Sequence, residues 1–167
     1  LEGLDRFQSQ AFDVVLGGVA DAFDLSKEDP RTVARYDTSP LTRFDQWKDM
    51  NNRDHYKANS NSLGKLCLLA RRLAERGCGF ITIATSFVWD MHADVNNLGM
   101  VRGMDFVGSP FNHAVAALIE DIEARGLQDK IMVVCTGEMG RTPKINARGG
   151  RDHWGGLTPL LLYGAGI

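Results

Sequence analysis

Phe80-Ile81-Thr82-Ile83-Ala84, then Ser109-Pro110-Phe111 through Gly126, then Ile131-Met132-Val133-Val134-Cys135 read in order as strand, helix, strand. The two end segments are β-branched and apolar, the composition of strands buried on both faces. Between them Phe111, Ala114, Val115, Leu118, Ile119 and Ile122 recur at helical spacing, with Ser109 and Pro110 opening the run and Gly126 closing it. This pattern implies two parallel strands joined by a right-handed crossover. A further apolar run, Pro159-Leu160-Leu161-Leu162-Tyr163, follows with no helical pattern in between, which favours an antiparallel neighbour. The expectation is an α/β chain with a mostly parallel sheet and a late antiparallel strand. Ligands of such sheets bind at the carboxyl edge of the strands.

Working outward, Leu63, Leu66, Cys67, Ala70, Leu73 and Ala74 form one stripe over residues 62 to 76, with Arg71, Arg72, Glu75 and Arg76 on the other and Gly77 as the stop. Residues 4 to 25 carry a second apolar stripe, weakened at Gly17 and Gly18, which predicts a helix with a kink. From Ser26 to Asn61 the chain is polar and aperiodic, and only Asp29-Pro30-Arg31-Thr32-Val33 suggests a helical turn. Phe44, Trp47 and Tyr56 in that segment point to an interface whose other half lies elsewhere. Residues 1–61 are thus expected to be a helix plus an irregular polar segment, and residues 62–167 the α/β core. Both are read as part of one larger domain, of which this chain is a fragment.

Composition narrows the function. Nineteen basic against twenty-one acidic residues give a net charge of -2 with no Lys/Arg run, which argues against nucleic acid as a partner. No apolar stretch reaches the roughly 20 residues of a membrane span, and the first residues lack the order of a signal peptide. Cys67, Cys78 and Cys135 show no Cys-x-x-Cys spacing and read as plain thiols.

Three polar clusters fall where the strands end: Trp89-Asp90-Met91-His92, Gly137-Glu138-Met139-Gly140-Arg141-Thr142-Pro143, and Gly150-Arg151-Asp152-His153-Trp154. Asp90 and His92 are two apart, so in extended chain both side chains leave one face and can reach one ion. Carboxylate oxygen with imidazole nitrogen suits Zn, Mn or Fe better than Ca or Mg. His153, beside Asp152, would complete a two-His, one-carboxylate set with open positions. Such an ion polarises a phosphoryl or sulfuryl oxygen or acidifies a bound water. Each piece also has a plain structural reading. Glu138 can be a solvated loop carboxylate or a cap. Arg141 can clamp a substrate oxyanion or pair with Glu138 or Asp152, with the salt bridge favoured. Trp89 and Trp154 read as packing walls, and His55 and His113 as surface residues.

From Leu63 onward these landmarks, together with Leu118-Ile119-Glu120-Asp121-Ile122 and Arg125-Gly126-Leu127, resemble the bacterial family called domain of unknown function 1501, whose sulfatase-like members belong to the alkaline-phosphatase-like superfamily. The match runs in order over residues 62 to 167 and more loosely over 1 to 35. The resemblance implies a partial alkaline-phosphatase-like α/β/α sandwich, this chain being its C-terminal portion. It implies a metal-dependent hydrolase of phosphate or sulfate esters, acting on small molecules or polysaccharides and exported from the cell. Asp90, His92, His153 and Asp152 are the implied metal residues, Glu138 and Arg141 the implied catalytic ones, and zinc the implied ion, with Mn or Ca as alternatives. Where such enzymes carry the Asp-His or Asp-Asn pair of a second metal, this chain has Glu138-Met139, and Met is a poor ligand for such an ion. Their Ser, Thr or modified Cys nucleophile comes from an N-terminal strand that no segment here matches. The alternative is a non-catalytic sulfatase-like binding or surface-assembly protein.

Overall fold

The computed structural model of the chain describes residues 6–9, 11–12, 18–44, 52–86 and 89–166. In order these form helices α1 (Val19–Phe23), α2 (Pro30–Arg35), α3 (Arg53–Glu75), α4 (Met100–Gly103) and α5 (Ser109–Ala124), then strands β1 (Met132–Thr136), β2 (Gly140–Ile145), β3 (Arg151–Trp154) and β4 (Leu160–Gly164). The chain is mixed α/β. Its strands make two antiparallel pairs, β1 with β4 and β2 with β3.

The late strand is antiparallel to β1, as its helix-free connection requires, with Val134 opposite Leu162. The parallel partner expected at residues 80–84 forms no ladder: Phe80 is 90% exposed, although the positions after it alternate half-buried and exposed at the strand period. The physical reason is coverage. Val133 and Tyr163 pack on the helices, whereas Met132, Val134, Leu160 and Leu162 on the other face stay exposed. A parallel sheet needs a layer on both faces, and among the described residues the helices supply one.

The main core lies between α3 and α5, where Leu63, Cys67 and Leu68 meet Ala114, Leu118 and Ile122. Both helices end where their glycines stood in the sequence, the N–H of Cys78 closing on Leu73 O and that of Leu127 on Ile122 O. α3 begins nine residues before the expected Ser62, because Tyr56, Asn59 and Ser60 are drawn into the interior despite the polar sequence around them. Asp29 caps α2 by accepting from Thr32 N–H, so the expected turn at 29–33 is a short helix. Phe44 and Tyr56 need no outside partner, since they pack with Met91, Leu98, Phe106 and Val107 in a second cluster. The segment before α5 contains α4 and a π-helical turn, Met104–Gly108. Residues 6–9 and 11–12 are helical, and α1 begins after Gly18, at φ 76, and ends at Phe23, short of the expected residue 25; residues 4–5, 10 and 13–17, and Trp47, lie outside the described residues. His113 is half-buried, its Nε2 bonded to Arg35 O at 2.7 Å, and His55 is exposed. Cys67 is buried, Cys78 and Cys135 are half-buried, and all three are free thiols. Among the described residues no helix is long and apolar enough to cross a membrane.

One polar element ties α3 and α5 to the residues that flank α2, Glu28 and Tyr36. Arg71, placed by its stripe on the solvent side, is fully buried. Its guanidinium donates to Asp121 Oδ2 (2.8 Å), Glu75 Oε2 (2.5 Å) and Glu28 Oε2 (2.6 Å). Arg125 and the Tyr36 hydroxyl also donate to Asp121, and Arg72 to Glu28. Burial opposes the charge on Glu28, but hydrogen bonds from Arg72 and Arg71 outweigh it and hold its carboxyl at about 2. A carboxyl depressed in the folded state adds stability above its unfolded value near 4.5 and loses it as pH falls toward 2. The stability advantage of the native chain over Glu28→Gln is therefore expected to be full above pH 5 and to vanish by about pH 2, as read from urea melts across that range.

Candidate metal centre

The site is assembled by a loop and a hairpin. In the β2–β3 hairpin Arg141 lies directly opposite His153, so the two project from the same face of the ribbon. The ladder then slips between Arg141 and Ile145, over the stretch where Pro143 has no N–H to offer. Thr142 helps fill the gap, its Oγ1 accepting from Asp152 N–H. At the hairpin's turn Asn146 Oδ1 accepts from the N–H groups of Arg148 and Gly150, and its Nδ2 donates to His92 O and to Asp152 Oδ1, both at 2.9 Å. Arg151 N–H donates to Met91 O. The hairpin is thereby stitched along the loop that carries Asp90 and His92.

The outcome is a compact polar cluster. One ligand atom from each of Asp90, His92 and His153 lies within 4.8 Å of the others. The two imidazoles meet edge to face with centroids 5.2 Å apart. Asp90 Oδ1 is 2.6 Å from His92 Nδ1, 2.6 Å from Arg141 Nη1 and 3.2 Å from His153 Nε2. Burial works against the charge on Asp90, yet hydrogen bonds from His92, Arg141 and His153 prevail and hold its carboxyl below the usual range. The hydrogen bond to Asp90 in turn lifts the His92 imidazole above its usual range, against a smaller desolvation effect. The second nitrogen, Nε2, meets Asp94 Oδ2 at 3.0 Å. Backbone N–H groups of Asn96 and Asn97 hold the Asp94 carboxyl at about 2.

The other expected site residues sit differently. Asp152 is outside the group, because neighbours on a strand point to opposite faces and His153 has the inner one. Glu138 is exposed and also outside it. Arg141 forms the expected salt bridge, but with Asp90 rather than Glu138 or Asp152; its Nη2 also donates to Trp89 O. Trp89 packs edge-on to Phe111 at 4.7 Å. Two residues that organise the site, Asp94 and Asn146, carry no motif of their own. The only trace of Asn146 is its place ahead of Gly149-Gly150, a composition that favours a tight turn.

The donor set suits a divalent cation of the zinc type. It offers one carboxylate and two imidazoles, fewer than the four ligands of a closed structural site, which leaves positions open. Among the described residues no second group of three such side chains converges. Neither a curated protein nor a solved structure matches the chain. A family model does, over residues 1–167, and on that full-length match the chain belongs to the family described as Protein of unknown function (DUF1501).

Proposed function

We propose that this chain carries the metal-binding part of a metal-dependent hydrolase of phosphate or sulfate esters, with the sulfatase-like, alkaline-phosphatase-like architecture its motifs resemble. The observation that carries the reading is the approach of His153, remote in sequence, to within 4.8 Å of Asp90 and His92. Asp90 supplies charge, and His92 Nδ1 and His153 Nε2 supply nitrogen donors. Zinc bound by them would polarise an ester oxygen and acidify a bound water. Arg141, 19% exposed beside Asp90, offers a planar fork to the anionic ester. In the sheet of the complete domain residues 80–84 would lie parallel to β1; the strand-period burial after Phe80, and Ile83 packing on the main core, support that placement. The nucleophile belongs to a more N-terminal part of that domain.

One observation favours the second reading, a binding or assembly protein without turnover. Asp90 already has a cation on it, the Arg141 guanidinium, and that pair can be an end in itself.

Zinc titration of the chain is expected to show one site. His153→Ala should lose more than about 100-fold in affinity, beyond the usual cost of removing an outer-shell partner. Its melting should stay within about 0.5 kcal/mol of the parent, since His153 is half exposed. No zinc binding, or an unchanged affinity in His153→Ala, would overturn the metal centre. Aryl phosphate and sulfate hydrolysis by the whole domain then separates the enzyme from the binding protein.

A further inference from the structure

We propose that Asp94 is the positioning residue of this centre, fixing the tautomer of His92 so that its Nδ1 lone pair faces the cation. The inference rests on the metal-centre reading above. Two carboxylates bracket the His92 ring, Asp90 at Nδ1 (2.6 Å) and Asp94 at Nε2 (3.0 Å), but they are held in different ways. Asp94 Oδ1 accepts from Asn96 N–H (2.8 Å), Asn97 N–H (2.7 Å) and the Asn97 side-chain amide (3.1 Å). That oxygen is pinned to its own loop, which leaves Oδ2 for the ring. Asp90 instead meets side chains brought in by the hairpin, Arg141 and His153. A carboxylate only accepts, so each ring nitrogen turns a proton toward the carboxylate it faces; once a cation takes the place of the Nδ1 proton beside Asp90, Asp94 keeps the other proton on Nε2, and the Nδ1 lone pair lies on the side of Asp90 and His153. Metal-bound imidazoles commonly donate their second N–H to a carboxylate in this way.

Asparagine discriminates this role from mere turn building. In Asp94→Asn the amide oxygen can still accept from the N–H groups of Asn96 and Asn97, so the turn survives. Its NH2 then faces Nε2, which must become the acceptor, and the proton moves to Nδ1, where a metal would have to displace it. Zinc affinity of Asp94→Asn is expected to fall about 10- to 100-fold with unchanged melting. Nitrogen-15 spectra of the imidazoles should show the His92 proton on Nε2 in the zinc-bound native chain, and on Nδ1 in the metal-free variant. Native-like affinity in a folded Asp94→Asn, while His153→Ala loses zinc, would overturn the inference and leave the metal centre standing. Zinc on Nε2 of His92 in the native chain would overturn it whether or not the variant folds. A native chain that binds no zinc would overturn both.

Discussion

Arg71→Ala is expected to cost the chain about 3–5 kcal/mol of folding stability, a large share of the 5–15 kcal/mol that a typical domain possesses. The guanidinium is 1% exposed and donates to three carboxylates, of which Asp121 and Glu28 are themselves 3% and 8% exposed. Truncation leaves those charges without their principal partner in a place water does not reach, and that penalty exceeds anything the lost contacts contributed. Arg125 provides the control. It also pairs with Asp121, Glu75 and Glu28 but is 32% exposed, and its removal should cost about 1 kcal/mol. Urea unfolding of the two variants measures the difference; equal and small losses would mean that water compensates the carboxylates after all. The fold is therefore secured by a buried electroneutral cluster, three arginines against Glu28, Glu75 and Asp121, as well as by its apolar interior.

Gly150→Ala is expected to abolish zinc binding, more than about 100-fold, at a stability cost of about 1–3 kcal/mol. A Cβ at this position would stand 2.2 Å from the carbonyl carbon of His92 and 2.4 Å from its oxygen. The obstacle is backbone, so no rotamer change relieves it, and the hairpin must move away from the loop. The movement breaks the bonds from Arg151 N–H to Met91 O and from Asn146 Nδ2 to His92 O, and it carries His153 off the Asp90–His92 pair. Gly149→Ala, one residue earlier, meets no atom within 4 Å but sits at φ +83. It should cost about 1–2 kcal/mol of backbone strain and leave zinc affinity near its native value. Calorimetric zinc titration and thermal melting of the two neighbours test the distinction; if Gly150→Ala keeps the site, hairpin docking does not position His153.

What the sequence disclosed and what it hid divide along physical lines. α5 was legible because it buries an apolar face whose period survives in the residues, β1 and β4 because they are short, continuous apolar runs, and the glycines at 77 and 126 marked the helix ends. The early start of α3 was hidden, since Asn59 and Ser60 enter the interior against their composition. Arg71 was misplaced for a related reason: an arginine among charged neighbours looks solvated until carboxylates from two other segments are known to surround it. At the site, the two-residue spacing of Asp90 and His92 and the position of His153 near a late strand were enough to expect their meeting. Excluding Asp152 required knowing that residues 151–154 pair as a strand, which fixes the face each side chain takes. Asp94 and Asn146 act through turn geometry that no spacing announces.

Because Arg141 and His153 sit across from one another on the same two-stranded ribbon, the ribbon presents both of these partners to the one Asp90 carboxylate. A small tilt of the hairpin frees both sides of that carboxylate in one motion. The ion pair and the imidazole contact of Asp90 thus share one support, and whatever displaces that support loosens both.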